Sequence, residues 1–254
     1  IVNPKVGTQR PQAVAMRDLF KQPLFEASEW VLFADCDEFL NIHLGDGHLD
    51  DLFAAMGDEA EAISIVWRLF GGNKVVDYED RSMVEQFTRA ARHDMHHPPN
   101  AWGFKTIWKR SDNVERIGAH RPFYYDREAI QGKWLDSGGR PMGADMIEKG
   151  WRFNRNNISY AWAQFNHYAV RSVDSFMVKC DRGHVLHTHK DINTEYYDGM
   201  SFNAEEDTSA LRRVPATQAK FDQLLADPIL AELHEAAVEW HSNKAAELRA
   251  AGAR

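Results

Sequence analysis

Cysteine, positive charge and long hydrophobic runs are all scarce in this sequence of 254 residues. The only cysteines are Cys36 and Cys180, and Cys36 is flanked by acidic residues, which is not typical of a disulfide framework. We therefore expect a reducing, cytoplasmic setting. Thirty Lys and Arg stand against 38 Asp and Glu, and the net charge of -8 predicts that the chain binds no nucleic acid, because it repels polyanions as a whole.

The longest apolar stretches, residues 30–34 and 62–67, are far shorter than the roughly 20 residues that a membrane-spanning helix needs. The sequence therefore predicts no transmembrane segment. Peripheral association with a membrane stays open at this point, and so does the oligomeric state.

What the sequence does contain is enough apolar residues, 44%, to build a sizeable core, arranged in patterns typical of an α/β protein. Residues 30–34 form a short apolar run, which predicts a strand buried on both faces. Apolar residues at helical spacing over 49–56 and a second apolar run over 62–69 follow. Strand, helix and strand in this order favour a parallel α/β unit.

The remaining patterns predict the other elements. Further predictions are a helix over 11–22, strands over 104–108 and 162–168, an irregular excursion over 126–157, a helix that Ser172 caps and Gly183 ends, and a helical tail over 221–249. We interpret residues 1–200 as one α/β domain and residues 201–254 as a helical C-terminal extension.

Two acidic residues, Asp35 and Asp37, follow the first predicted strand directly. Side chains two residues apart in extended structure project to one side, so the two carboxylates can converge on one cation. Carboxylate oxygens suit Mg²⁺ or Mn²⁺. Ligands of open α/β sheets bind beyond the carboxyl ends of the strands, where this pair is predicted to lie. The alternative interpretation is a solvated acidic turn.

Beyond the acidic pair, the chain carries an ordered set of motifs. They are WVLFADCDEFL at 30–40, WRLFG at 67–71, HRP at 120–122, and NHY at 166–168 followed by Ser172, Phe176, Lys179, Arg182 and Gly183. In this order the motifs resemble the family-2-like glycosyltransferases of bacteria, which are related to a group whose eukaryotic members transfer galactose. The resemblance extends over residues 30–183.

The resemblance implies a GT-A fold, which is a Rossmann-like mixed sheet flanked by helices. It also implies a nucleotide-sugar donor, a UDP-sugar above all, a saccharide or glycoconjugate acceptor, and transfer with inversion in cell-surface polysaccharide assembly. Asp35 and Asp37 would hold Mn²⁺ or Mg²⁺ against the diphosphate of the donor, with His167 as a third metal ligand and His120 as the alternative.

The same resemblance assigns basic and acidic side chains to the donor and the acceptor. Lys179 and Arg182 lie three apart on the predicted helix and would bind the diphosphate, and Lys105 is grouped with them as a donor-binding residue. An inverting transferase needs a carboxylate base for the acceptor hydroxyl. The candidates are Glu38, Glu85, Asp145 and Asp174; no spacing rule selects one, and we prefer Asp145 and Glu85.

Residues 1–29 do not match the first part of the family pattern. We expect that part of the N-terminal nucleotide-binding half is absent from this chain, or that the resemblance is incomplete there. In either case the sequence names no nucleoside-recognition residue.

Two other functions stay open. Histidines are dense over 93–97 and at His184, His187 and His189, and such clusters could form the His/Asp metal centre of a hydrolase. A solvated polar loop is the alternative for both clusters. The third possibility is a non-catalytic carbohydrate-binding or assembly protein that retains only part of the site.

Overall fold

The structure is a computed structural model that describes residues 11–95, 99–183 and 192–252. The described residues fall into two compact units. The first unit contains the residues up to 68 together with 93–167, and the second contains residues 69–92, 168–183 and 192–252.

The secondary structure is mixed. The strands are, in chain order, β1 (Trp30–Leu32), β2 (Glu38–Ile42), β3 (Ala62–Leu69), β4 (Arg89–Ala90), β5 (Phe104–Lys109), β6 (Val114–Ile117), β7 (Pro122–Tyr124), β8 (Trp134–Asp136), β9 (Ala163–His167) and β10 (Glu205–Glu206). The α-helices are α1 (Pro11–Leu19), α2 (Pro23–Glu26), α3 (Leu49–Met56), α4 (Met83–Gln86), α5 (Ala144–Lys149), α6 (Val173–Arg182), α7 (Thr194–Met200), α8 (Val214–Leu225) and α9 (Pro228–Ala250). Short 3-10 helices occur at Pro99–Trp102, Glu128–Ile130 and Ser209–Arg213.

Six strands of the first unit form one mixed sheet in the order β1-β5-β3-β9-β2, with β8 also paired to β3. Strand β3 is its centre, and all eight residues of β3 are buried. A strand that is covered on both faces is rich in apolar residues, which is why its sequence, AISIVWRL, shows no alternation of polar and apolar residues, although Ser64 and Arg68 are buried in it. The prediction of a buried strand over 62–69 is confirmed.

The prediction that residues 30–34 form a strand buried on both faces is wrong. The strand ends at Leu32, and Leu32 is exposed. Among the described residues β1 is paired only with β5, so it lies at one end of the sheet order. Its apolar character has another cause: Trp30 stacks on Phe53 of α3, with ring centroids 4.7 Å apart.

The expected parallel unit is also corrected. Strands β1 and β3 both pair antiparallel with β5, which lies between them, and β9 lies between β3 and β2. The parallel pair with a recorded register joins β3 to β8, much later in the chain. The local sequence pattern predicts the elements themselves. However, β5, which comes later in the chain, lies between β1 and β3, which were expected to be neighbours.

This strand order positions the acidic loop. Strands β1 and β2 are consecutive in the chain, yet they lie at opposite ends of the sheet order. The connecting residues 33–37 therefore pass the beginning of β5, where Lys105 lies, and reach β2, whose first residue Glu38 pairs with His167 at the end of β9. The loop brings together residues from three separate parts of the chain.

The predicted helices over 49–56 and 172–183 form as their capping residues indicate. His48 and Asp51 make reciprocal side-chain contacts at the start of α3. The Ser172 hydroxyl accepts a hydrogen bond from the Ser175 N–H at the start of α6, and Gly183 ends α6 with a φ of 77°. Helix α1 and strands β5 and β9 are confirmed as well, with ends shifted by at most a few residues.

The irregular excursion over 126–157 is wrong in one respect, because it contains strand β8 and helix α5. Buried Arg121 explains how so short a helix is held. Its guanidinium donates hydrogen bonds to the carbonyls of Met146, Ile147, Glu148 and Gly150 at the C-terminal end of α5. The Met146 carbonyl also accepts a hydrogen bond of 2.9 Å from the Gly150 N–H. The last carbonyls of a helix otherwise lack intrahelical partners, so a cation there satisfies them.

In the second unit, β4 pairs with β10, and α9 packs against both α6 and α8. The predicted helical tail is confirmed as α8 and α9. Asp227 caps α9, where its carboxylate accepts a hydrogen bond of 2.9 Å from the Ile229 N–H. Within the described ranges, none of the helices combines the length and apolar composition that crossing a bilayer requires.

Candidate functional site

A tight turn over residues 35–38 displays the acidic pair. The N–H of Asp35 donates to Oε2 of Glu38 at 2.9 Å, and the N–H of Glu38 donates to the carbonyl of Asp35 at 3.0 Å. Cys36 and Asp37 form the turn between them. The extended geometry that predicted the convergence of Asp35 and Asp37 is therefore not adopted, and each of the two carboxylates has its own surroundings.

Asp35 is held by two neighbouring side chains. Lys105 Nζ lies 2.9 Å from Oδ2 of Asp35, and Gln12 Nε2 donates to Oδ1 at 2.8 Å. Both oxygens of this carboxylate thus accept hydrogen bonds from the protein.

Lys105 is fully buried, with a relative exposure of 0%. Its ammonium donates to Asp35 and, at 2.7 Å, to the carbonyl of Ala119, and it lies 3.3 Å from Oε2 of Glu38. The aromatic ring of Phe33 lies 5.3 Å below it. A buried lysine needs such partners because the desolvation of an unpaired charge is costly. These contacts direct Lys105 toward the acidic turn, whereas its predicted role as a donor-binding residue stays a prediction.

Glu38 is the residue of this cluster whose charge is least well balanced. Burial raises the pKa of Glu38 to about 7, and the carboxylates of Asp35 and Asp37 add to the increase while Lys105 opposes it. Among the described residues, no hydrogen-bond partner contacts its second oxygen, Oε1. One buried lysine thus faces two carboxylates, of which Glu38 is buried and Asp35 is 40% exposed, and ionisable groups with perturbed pKa values of this kind are common at functional sites.

Asp37 lies beside His167, with 4.0 Å between Oδ1 of the carboxylate and Nε2 of the imidazole. The pairing of Glu38 with His167 across β2 and β9 fixes this approach, because Asp37 immediately precedes Glu38. Divalent ions bind oxygen and nitrogen at about 2.0–2.2 Å, so donors 4 Å apart can contact one ion. The structure thus brings together two of the predicted metal ligands.

The alternative metal ligand, His120, has different surroundings. Its Nδ1 lies 3.0 Å from the carbonyl of Phe104. Its ring lies 5.3 Å from that of Trp67 and 5.2 Å from that of Trp151. Burial, and then the charge of Lys105, lower the pKa of His120 to about 4, so the ring is neutral near pH 7. The His120 ring thus packs between the indoles of Trp67 and Trp151.

Trp67 connects the two histidines. Its ring lies 4.6 Å from the ring of His167, and its carbonyl accepts a hydrogen bond of 3.2 Å from the hydroxyl of Tyr160. Gly103 packs directly on the indole, because a Cβ at this position would lie 2.4 Å from the ring. The indole is thus held in place beside His167.

The predicted diphosphate-binding residues lie in the second unit. Lys179 and Arg182 are on α6, as predicted. Lys179 Nζ donates to the Ala169 carbonyl at 2.7 Å and to the Tyr196 hydroxyl at 3.2 Å, and Arg182 is exposed. Their predicted position across a metal diphosphate from Asp35 and Asp37 stays a prediction.

The two candidate bases lie on short helices in different units. Asp145 is exposed in the first turn of α5, and Glu85 is partly buried on α4. Their role as the base stays a prediction.

Of the histidine clusters, only His93 lies within the described residues, where its ring packs edge-on against Tyr160 at 5.1 Å. His96, His97, His184, His187 and His189 lie outside them. Within residues 11–95, 99–183 and 192–252, no three His, Cys, Asp or Glu side chains are grouped so that they could hold a metal ion. Asp37 and His167 therefore provide two potential metal ligands.

Comparison with protein-family models, curated proteins and solved structures finds no match in any of the three.

Gln12, Ala119 and Trp151 escape sequence reasoning, whereas Lys105 does not. The Ala119 carbonyl and Gln12 carry no recognisable signal. The part played by Lys105 does carry one, because a lysine inside the apolar strand FKTIWK must find a buried carboxylate. Trp151 lies in a region without periodicity and has no signal in the sequence.

Proposed function

We propose that this protein is a metal-dependent glycosyltransferase of the GT-A type that moves a sugar from a nucleotide-sugar donor to a saccharide acceptor, with inversion. The observation that carries the proposal is the approach of Asp37 to His167 at 4.0 Å, beside the turn that holds Asp35. These residues come from two of the motifs on which the resemblance rests, and they are more than a hundred positions apart in the chain.

The two donors fit a divalent cation that is shared with a diphosphate. Mg²⁺ in nucleotide sites is typically held by one or two carboxylates, with phosphate oxygens and water as its other ligands, so a complete protein cage is not required. Asp37 and His167 would hold the ion. Such an ion stabilises the negative charge that develops on a departing nucleoside diphosphate.

Asp35 has a positioning role in this proposal. Its carboxylate is bound by Lys105 and Gln12, and its backbone closes the turn with Glu38. Both contacts fix the turn on which Asp37 stands. Functional side chains need this kind of support, because small displacements of a reacting group lower the rate strongly.

Trp67 shields the other side of the donor pair. It is nearly buried, and its ring packs on His167. It limits the access of water to the imidazole and restricts the rotation of the ring, so that Nε2 keeps facing Asp37. A transferase gains from such exclusion because water competes with the acceptor hydroxyl.

The proposal is tested by titrating full-length protein with Mn²⁺ and UDP, and with other nucleoside diphosphates, in a calorimeter. We expect Mn²⁺-dependent binding that Asp37→Asn and His167→Gln each weaken at least roughly tenfold, the loss that follows when even the residues supporting a metal ligand are changed. Asp58→Asn, at an exposed position in a turn, is the matched control and should bind as the parent does.

Two results would reject the proposal: the absence of metal-dependent binding for every nucleoside diphosphate, or equal binding by Asp37→Asn and Asp58→Asn. Binding without transfer to any saccharide would favour the non-catalytic alternative.

A further inference from the structure

Four aromatic rings form a continuous row in the first unit. Their order is His167, Trp67, His120 and Trp151, and successive ring centroids lie 4.6, 5.3 and 5.2 Å apart. The row begins at His167, whose imidazole faces Asp37, and ends at Trp151. Trp151 is exposed, with a relative accessibility of 37%, whereas Trp67 is buried, at 8%.

The position of Trp151 is fixed by its backbone. Its carbonyl accepts a hydrogen bond of 3.2 Å from the Phe104 N–H at the start of β5, and the next residue, Arg152, forms a bridge with Gly103. On the other side, α5 ends at Lys149, where Arg121 holds the helix carbonyls. An exposed tryptophan on so rigid a support loses little conformational freedom when a ligand binds.

His120 adds a directed hydrogen-bonding group to the row. The Phe104 carbonyl can only accept, so Nδ1 of His120 carries the proton in the contact between them. In the neutral ring, Nε2 is then an acceptor.

Arg152 supplies donors at the exposed end. Its guanidinium carbon lies 5.4 Å from the centre of the Trp151 ring. The end of the row therefore combines an indole, a neutral acceptor and a planar set of N–H donors. This combination matches a pyranose, whose C–H surface packs on an aromatic ring while its hydroxyls donate and accept hydrogen bonds.

We propose that Trp151 and His120 form the binding platform for a neutral pyranose of the saccharide acceptor. This inference rests on the proposed function, because the row connects the platform through Trp67 to His167, one of the two residues that would hold the metal ion. We take the ligand to be neutral because Lys105, whose charge acts on His120, is paired with Asp35 and Glu38, and the Arg152 guanidinium packs on the Trp151 ring.

The test uses saturation-transfer-difference NMR on full-length protein with Mg²⁺ and UDP present. The probes are the methyl β-glycosides of glucose, galactose, mannose and N-acetylglucosamine. We expect at least one of them to bind, and Trp151→Ala to weaken that binding roughly fivefold or more. Trp151→Phe, which keeps an aromatic face, should restore part of it.

His120→Phe tests the hydrogen-bonding role of this ring, because it keeps a ring between the two tryptophans and removes both nitrogens, the acceptor Nε2 and the Nδ1 donor to the Phe104 carbonyl. We expect binding of the same glycoside to weaken roughly two- to tenfold. The matched control is Trp240→Ala on α9, which removes a tryptophan that is 60% exposed in the second unit and should leave the signal unchanged. Circular dichroism establishes that each variant is folded.

The outcomes separate this inference from the proposed function. Glycoside binding that depends on Trp151, together with Mg²⁺-dependent UDP binding that does not, supports both. Glycoside binding that depends on Trp151 in a protein that binds no nucleoside diphosphate supports the platform and rejects the transferase. The platform is overturned if no glycoside binds, if Trp240→Ala causes the same loss, or if Trp151→Ala weakens only the binding of UDP, which would assign the ring to the nucleobase.

Discussion

Each unit of this protein contains a cluster in which one basic side chain faces two carboxylates, and the two clusters are built differently. In the first unit, Lys105 lies between Asp35 and Glu38 and is fully buried. In the second, Arg249 on α9 donates to Asp174 on α6 through Nε at 2.6 Å and to Asp77 at 2.5 Å, and its side chain is 44% exposed.

The carboxylates differ in the same way. Asp174 is buried but accepts hydrogen bonds from Arg249 and, at 2.8 Å, from the Tyr78 N–H, so its charge is satisfied. Glu38 is equally buried, yet its pKa is raised to about 7, and its Oε1 is without a hydrogen-bond partner within the described residues. We infer that the second cluster attaches α9 to α6, whereas the first holds a buried carboxyl group, Glu38, whose negative charge Lys105 compensates only in part.

The largest effect should come from removing the buried cation. Lys105→Met leaves the buried carboxyl group of Glu38 and the partly exposed carboxylate of Asp35 without their cation, and we expect the free energy of unfolding to fall by about 3–5 kcal/mol. Urea denaturation at pH 7 measures it. Lys109→Met on the same strand is the control, because Lys109 is 42% exposed and its pair with Glu29 spans 3.9 Å. Similar losses in both variants would show that burial does not distinguish the clusters.

A pH-dependent effect of Glu38→Gln should come next. Because the folded pKa of Glu38 is raised from 4.5 to about 7, the protein gains stability from the neutral carboxyl below pH 4.5 and loses it as the pH rises through 7. Glutamine keeps the neutral form at every pH. Relative to the parent, Glu38→Gln should therefore gain on the order of 3 kcal/mol between pH 5 and pH 8.

Denaturation of metal-free protein across this pH range measures the gain. Glu29→Gln, at an exposed position, should show no such trend. A difference between Glu38→Gln and the parent that does not vary with pH would contradict the assigned protonation of Glu38.

Breaking the second cluster should cost less. Asp174→Ala removes charge-assisted hydrogen bonds, which are worth about 1.5–3 kcal/mol, but it leaves Arg249 free to turn to water. We therefore expect a smaller destabilisation than for Lys105→Met. Asp181→Ala, which removes an exposed partner of Lys244, should change the unfolding midpoint little. A loss for Asp174→Ala that equals that of Lys105→Met would remove the contrast between the units.

The smallest effect concerns the helix on which Asp174 lies. Ser172→Ala removes the side-chain cap of α6 and should lower stability by about 1 kcal/mol. Ser242→Ala, inside α9, is the matched control, since that hydroxyl only donates to the Val238 carbonyl of its own helix. Equal effects of the two substitutions on the unfolding midpoint would show that the cap does not stabilise α6.

Much of this fold could be predicted from the sequence because its signals are local. Apolar spacing predicts α3, apolar spacing together with Ser172 and Gly183 predicts α6, and the largely apolar sequence of β3 predicts a buried strand. The order of strands could not be predicted, because the edge position of β1 depends on which distant strands lie between β1 and β3. The apolar run over residues 30–34 predicts a strand covered on both faces, whereas in the structure the Trp30 indole stacks on Phe53.

The candidate site shows the same division. The sequence by itself determined the chemistry that is available, namely Asp35 and Asp37 after a strand and histidines in later motifs. Only the tertiary structure decided that Asp37 faces His167, that Lys105 binds Asp35, and that Trp151 ends a row of rings. The reason is physical: side-chain patterns follow from the local periodicity of helix and strand, whereas the meeting of residues about 70 or 130 positions apart depends on how the whole sheet is assembled.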